Sequence, residues 1–362
     1  MTEPGTPSVG ILFKSYEPLA DIAAYARTTE EVGLDGGFWI AEAYHWFRKY
    51  GHESRGAIAT MAVAISATQR IPVGLGIVSP YMRHPTVQAA EAAALDELSG
   101  GRFIMGMGTG KVGVVYLETD LEKATPVKVH RESLEIFRRV VSGEAFAFEG
   151  DIFQATAPAV DRSGRGLRTS IPVYLGATGP YMQRLSGEIA DGLLLPGITS
   201  PGFVRYAREN LEKGFQRGGR DGAGYPLGAV ILASVGRDGD KARDTTRSYT
   251  GTYVINKIRN IQNDVILSAS GIAEEEFAPF KKALAEGRED DVTDLVSDDM
   301  MRRFTVVSGT PEECVPILQE LVDAGLNLPI MEVVGADTEA CLESIRLLGT
   351  EVVPHLKGSA GG

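Results

Sequence analysis

The sequence predicts an α/β fold, a (β/α)8 TIM barrel with insertions, on two observations. Short apolar runs of strand length alternate with helical-period patterns along almost the whole chain. Eight such strand–helix units follow one another with no second compositional block, as one closed parallel barrel requires. In such a barrel the catalytic residues stand at the carboxyl ends of the strands, so the segments just behind each strand are where the chemistry is sought. An open doubly wound sheet shows the same alternation, and strand counting alone leaves that alternative standing.

The elements follow in order. Residues 9–13 read as the first strand, with a helix over 19–32 behind it. Residues 36–40 are the second strand, ahead of a polar-aromatic loop and a helix near 57–68. Residues 71–78 are the third, and a helix opens after Pro85. The fourth, 103–107, leads to a helix near 127–141, where Leu134, Phe137 and Val141 share one face. Residues 145–153 alternate like a hairpin with its turn at Glu149-Gly150 or Gly150-Asp151. The remaining strands are 171–176, 192–195, 227–235 and 330–334. One domain is expected over 1–362, with insertions at about 145–170 and 252–303 and a Gly-rich loop at 217–226. Long insertions in a barrel carry substrate contacts or a subunit interface.

Of the 362 residues, 43% are hydrophobic and 23% charged, enough apolar material for a large core. A net charge of -12 argues against a nucleic-acid partner, whose phosphates need clustered Lys and Arg. Cys314 and Cys341, the two cysteines, sit in helical patterns without ligand-like neighbours and read as reduced structural thiols, so no metal site is expected. The start MTEPGTPSVG lacks the basic and apolar regions of a signal peptide, and no stretch has the length of a membrane span. The expectation is a cytoplasmic protein, a homodimer or higher homo-oligomer, with a small-molecule substrate and no membrane partner.

The second strand ends in Ala41-Glu42-Ala43-Tyr44-His45-Trp46. Glu42 or His45 suits a general acid/base, and Tyr44 and Trp46 suit the wall of an aromatic cofactor's pocket. A surface loop with a half-buried Trp is the bland alternative. The third strand carries Gly74 and Gly76, marking a bulge or a close backbone approach, and runs on to Arg83-His84-Pro85, where His84 either caps the next helix or joins the site. Gly106-Met107-Gly108-Thr109-Gly110-Lys111 behind the fourth strand matches neither a Walker A loop nor a dinucleotide fingerprint. Behind the fifth strand, Gly179-Pro180 can open a helix whose amides bind a phosphate, or make a tight turn and nothing more.

These motifs, in this order, resemble the luciferase-like monooxygenase superfamily. The resemblance rests on Leu95-Asp96-Glu97-Leu98-Ser99-Gly100-Gly101-Arg102, on Gly106-Met107-Gly108-Thr109-Gly110, and on the segment from Ile171 to Pro180. Ala190-Asp191-Gly192 and Ser308-Gly309-Thr310-Pro311-Glu312-Glu313 extend it over nearly the whole chain. It is nearest to the branch that uses coenzyme F420, such as methylenetetrahydromethanopterin reductase. The resemblance implies a bacterial-luciferase-like barrel and hydride transfer between the deazaflavin and a small organic substrate. It further implies a non-proline cis peptide at Gly76–Ile77 against the ring, cofactor contacts at Gly108 and Thr109, and a phosphate site at Ala177, Thr178 and Gly179. Glu42 and His45 become the proton sources, in that order, and Tyr44, Trp46 and Lys111 line the substrate pocket. The chain departs from the branch in three places. Ala43 stands where a histidine is usual, Lys111 where an acid is common, and Leu12 replaces a strand-one Glu. An FMN-dependent monooxygenase using O2, and a flavin-binding barrel without catalysis, are the alternatives.

Overall fold

The computed structural model describes residues 7–44, 48, 51–110, 122–162, 167–258 and 264–358. The eight expected strands are β1 (Gly10–Lys14), β2 (Phe38–Ala41), β3 (Val73–Leu75), β4 (Phe103–Gly108), β7 (Val173–Gly176), β8 (Gly192–Leu195), β9 (Leu227–Val235) and β11 (Leu328–Val333). All are parallel, and β9 pairs with both β8 and β11 while β11 pairs with β1, so the sheet closes into a barrel. Closure rules out the open doubly wound alternative.

Helices follow the strands: α1 (Leu19–Glu31), α2 (Ala57–Ser66), α3 (Pro85–Ser99), α4 (Pro126–Ser142), α5 (Pro180–Ile189), α6 (Pro201–Gly218), α7 (Gly239–Ile258), α11 (Pro311–Asp323) and α12 (Thr338–Leu347). The insertion between β9 and β11 adds α8 (Asp264–Ala269), α9 (Ala278–Ala285), α10 (Asp298–Arg303) and a short strand, β10 (Val307–Gly309), which the strand count missed. β10 pairs with Ala233–Val235 at the end of β9. Both cysteines are buried free thiols. Among the described residues, no helix is long and apolar enough to cross a membrane.

Apolar side chains fill two shells. The larger lies between sheet and helices; the smaller, inside the barrel, holds Leu12, Trp39, Tyr174, Leu194, Leu328 and Ile330. Glycines make room for the two inner aromatics. A Cβ on Gly74 would stand 2.4 Å from the Trp39 ring and one on Gly192 2.6 Å from Tyr174, and each glycine is its aromatic's cross-strand partner. Small and large residues thus alternate around the barrel interior.

The family motifs outside the strand ends are scaffold. Asp96, 4% exposed, accepts from Arg168 Nε at 3.0 Å, and Arg168 also donates to the Phe103 carbonyl. Arg102 donates to the carbonyls of Ile71, Thr68 and Ser99, tying α2, α3 and β3 together at the strands' amino ends. Asp191 accepts from the Val173 amide at 2.9 Å, and Glu313 from Thr310 N at 2.8 Å.

Two expectations need correction. The hairpin is β5 (Phe146–Glu149) with β6 (Gln154–Ala157), turning through four residues rather than two. The cause is remote: the Glu132 carboxylate on α4 accepts from the amides of Asp151, Ile152 and Phe153 and holds the wider turn. The third strand does not run unbroken over 71–78. It stops at Leu75, and a cis peptide joins Gly76 to Ile77.

Candidate active site

At the Gly76–Ile77 bulge the chain turns the Ile77 side chain into the barrel. Its space comes from glycines on two neighbouring strands. A Cβ on Gly108 would stand 2.8 Å from Ile77 Cγ1, and one on Gly176 2.9 Å from Ile77 Cγ2. Gly106 brings β4 against the Leu75 carbonyl, with no room for any side chain. The Gly motif of β4 therefore first accommodates the bulge. Backbone bonds fix the surroundings: Gly76 N to Ile40 O at 2.9 Å, Val78 N to Gly106 O at 3.0 Å, and Glu42 N to Ile77 O at 3.3 Å.

Glu42 stands at the carboxyl end of β2 and is tied to the bulge through that last bond. Its carboxylate meets Arg83 Nη1 at 2.6 Å, in the turn that opens α3, and Arg83 Nε lies 3.7 Å from Glu91. The Glu42 side chain is 5% exposed. Its Oε2 and the Tyr44 hydroxyl are buried, and neither has a well-formed hydrogen-bond partner among the described residues. Burial, then the neighbouring Glu42 charge, push the Tyr44 phenol well above its ordinary pKa, so its proton stays on. Gly110, at φ +58°, packs under that hydroxyl, where a Cβ would stand 2.4 Å from it; a side chain would be strained and displaced there. Ser79 Oγ donates to the Thr109 carbonyl at 2.8 Å and braces the same loop.

Behind β7, Ala177 N donates to Leu194 O at 3.0 Å, and Gln183 Nε2 holds the Thr178 carbonyl at 3.0 Å. Gly179 is the N-cap of α5, with Pro180 in the first turn and no side-chain cap. The first helical amides are thus left for another acceptor. Nothing lies within 4 Å of a Cβ built on Gly179. An uncapped helix start at a barrel's strand-end face, with open space in front of it, fits a phosphate-bearing cofactor.

His84 takes the capping role: its Nδ1 accepts from Thr86 N at 3.3 Å and its ring lies edge-on to Phe153. His45, Trp46 and Lys111 lie outside the described residues. Sequence reasoning missed Arg83 as the partner of Glu42. It also missed His130 on α4, buried with Nδ1 2.7 Å from Pro126 O and held neutral by burial, which lowers its pKa to about 4.

A third group escaped it entirely. Lys14 ends β1 and Glu332 lies on β11, and the two form an ion pair in which Glu332 is 4% exposed. Tyr253 on α7 donates its hydroxyl to the other Glu332 oxygen. Period two was the available signal: Leu12 and Ile330 face the barrel interior, so Lys14 and Glu332, two residues on, face it as well.

The fold and the strand-end site define a luciferase-like barrel, and the chain belongs to the luciferase-like monooxygenase family, whose model matches residues 2–328. Particular relatives narrow this. The chain is 31% identical over 345 residues to a 5,10-methylenetetrahydromethanopterin reductase of Methanopyrus kandleri, covering 90% of this chain and 93% of that protein. It is 27% identical over 346 residues to an F420-dependent glucose-6-phosphate dehydrogenase of Amycolatopsis mediterranei, covering 93% and 94%. Among solved structures, the coenzyme F420 dependent tetrahydromethanopterin reductase from Methanopyrus kandleri superposes with a TM-score of 0.82 at 29% identity, over 97% of this chain and 99% of that one.

Proposed function

We infer that the protein is a coenzyme F420-dependent oxidoreductase that transfers a hydride between the deazaflavin and a small organic substrate. One observation carries the reading: likeness along the whole chain to enzymes whose names share coenzyme F420 while their substrates, a pterin and a sugar phosphate, differ. The common element is the cofactor, so the cofactor is what transfers to this chain, and the substrate class stays open.

The residues fit such a cofactor. Gly76 and Ile77 present the bulge as one wall, with Gly108 and Thr109 on the adjoining strand end. Ala177, Thr178 and Gly179 lead into the uncapped start of α5, which suits a phosphate. Bound there, coenzyme F420 supplies the hydride donor or acceptor. The protein's part is to position both partners, exclude water and handle a proton. Glu42 and His45 are the proton-handling residues at the end of β2, with Tyr44, Trp46 and Lys111 around the substrate. Glu42, paired with Arg83, is the first proton source, and the Tyr44 phenol, which keeps its proton, is the adjacent hydrogen-bond donor. The same reading takes the protein as a cytoplasmic homodimer or higher homo-oligomer, which light scattering checks.

The test is a cofactor panel. Fluorescence quenching with FMN, FAD, coenzyme F420 and NADPH should show F420 binding tightest. FMN binding as tightly as F420 would move the protein to the FMN-dependent monooxygenases. Glu42→Gln should keep F420 affinity and lower turnover about a hundredfold; full turnover in Glu42→Gln with loss in His45→Gln would move the proton role to the imidazole.

A further inference from the structure

Inside the barrel mouth, Lys14, Glu332 and Tyr253 make a polar cluster that the family motifs do not include. Leu12, one inward step below Lys14, packs against Gly76: its Cδ1 lies 3.2 Å from where a Gly76 Cβ would stand. Lys14 therefore rises about 7 Å further up the same interior wall, at strand spacing, over the floor formed at the bulge. Its Cα pairs with Ala41, the residue before Glu42. Tyr253 reaches the cluster from α7, the helix behind β9. Its ring also covers Gly197 behind β8, where a Cβ would stand 2.8 Å from it, so α7 lies over the mouth.

An ion pair so placed needs a reason. Burying two charges costs several kcal/mol per ion, and well-packed apolar residues would stabilise a barrel interior as well or better. Both Glu332 oxygens are engaged, one by Lys14 and one by Tyr253, so the carboxylate serves to hold the ammonium. The Lys14 ammonium carries three donor hydrogens. Glu42, by contrast, pairs with Arg83 through one oxygen, on the side of the turn that opens α3.

We propose that Lys14 is a further catalytic residue, the group that protonates the substrate atom, beside the proton-handling Glu42, and that Glu332 and Tyr253 are its positioning residues. The inference rests on the deazaflavin reading above. The substrate class is then an electrophile with a C=O or C=N bond. A hydride from the reduced deazaflavin adds to the carbon, and the π pair moves to the oxygen or nitrogen. That atom takes a proton from Lys14 Nζ, whose N–H bond breaks to leave a neutral amine, and water returns the proton. Burial lowers the Lys14 pKa to about 8, with Glu17 opposing the shift, which places the acid near working pH. The groups facing it include Glu332 from β11, Tyr253 from α7, the Tyr16 ring, Glu17 behind β1, and His52, whose own pKa burial and Lys14 lower.

The test uses the whole protein and needs no known substrate at its first stage. Lysines are labelled by reductive 13C-methylation, and the Lys14 signal is assigned by its absence in Lys14→Arg. Over pH 6–11 it should titrate near 8, well below the surface lysines, and move when oxidised coenzyme F420 is added. Glu332→Gln should lower its midpoint further. Lys14→Arg keeps the ion pair and the fold but holds its proton near neutral pH. It should bind F420 within about twofold of wild type, by fluorescence quenching. With reduced F420 and acetone as acceptor, whose carbonyl oxygen needs the proton, it should turn over about a hundredfold more slowly, at similar KM. An acid must be protonated, so wild-type turnover is full below the pKa and falls as pH rises through about 8. A Lys14 midpoint among the surface lysines, a signal indifferent to F420 that does bind, or a fully active Lys14→Arg would each overturn the proposal. Failure of wild type to bind F420 would instead remove the cofactor reading, and the proposal with it.

Discussion

Removing Arg83 tests how tightly the end of β2 is held. Glu42 is 5% exposed and its guanidinium partner 22%, at 2.6 Å, with the Glu91 carboxylate on the same arginine's other side. Arg83→Met keeps most of the apolar stem and removes the charge. It leaves one buried carboxylate unpaired and a second, whose pKa burial already raises, beside it. Breaking a buried pair in this way costs about 3 kcal/mol. For a chain of 362 residues, at roughly 2 cal/mol/K of unfolding entropy per residue, that lowers Tm by about 4 °C. Glu42→Gln alone should cost about 1 kcal/mol, and the double variant much less than the sum, for a coupling of about 2 kcal/mol. Urea unfolding at pH 7 measures all four corners of the cycle. F420 affinity, read in parallel, should fall about tenfold in Arg83→Met, because the Glu42 amide is one of the bonds holding the Ile77 carbonyl. Additive single effects, or an Arg83→Met cost under 0.5 kcal/mol, would refute the tight pair and return Glu42 to the open pocket.

Three further outcomes follow from the geometry. Gly179→Ala should leave Tm unchanged, since its Cβ meets nothing, whereas Gly179→Asp should fold equally well and weaken F420 binding tenfold or more by charge alone; equal affinity in folded Gly179→Asp would move the phosphate elsewhere. Gly108→Ala should cost about 1–2 kcal/mol by pressing on Ile77, and Ile77→Val in the same chain should recover part of it; a cost unchanged by Ile77→Val in chemical denaturation would show that some other contact is strained. His130 takes up its proton more readily unfolded than folded, so its contribution worsens as pH falls from 6.5 toward 4, by about 3 kcal/mol in all; unfolding curves of His130→Gln across that window should be flatter than wild type by this amount, and parallel curves would contradict the buried neutral imidazole.

The barrel was legible because its signals are local. Each strand is a short apolar run with its own turn behind it, and all eight occur within a residue or two of their expected places, apart from β3, which stops short. The motifs that carried the family resemblance turned out to be mostly scaffold, such as Asp96 on Arg168 and Asp191 on the Val173 amide, which is why they spoke more clearly of fold than of chemistry. What stayed hidden depends on partners far along the chain. Glu332 sat inside an apolar strand without being noticed, because its partner Lys14 is 318 residues away. The four-residue hairpin turn needed Glu132 on a preceding helix. The β4 glycines make room for Ile77 from the neighbouring strand, a contact that no feature of their own motif announces.

The two polar groups behind β1 and β2 divide the work of the site by the direction they face. Glu42 belongs to a cluster with Arg83 and Glu91, which comes from α3 and the turn before it, and with the Tyr44 hydroxyl over Gly110. Its charge is balanced within the helix layer, so it suits holding the bulge through its amide and passing a proton along the loop. Lys14 follows the inward row of Leu12, and its counter-charge comes from within the barrel. The Lys14 ammonium is thus the cation on the interior side, with Glu332 and Glu17 as the carboxylates around it. A substrate atom that meets Nζ and gains electron density during hydride transfer is stabilised by that fixed cation. Reversing the pair, with Lys14→Glu and Glu332→Lys together, keeps the ion pair and the total charge. It should therefore retain F420 binding while lowering turnover about as much as Lys14→Arg, and preserved turnover in the swapped chain would show that the mouth needs the pair but not its polarity.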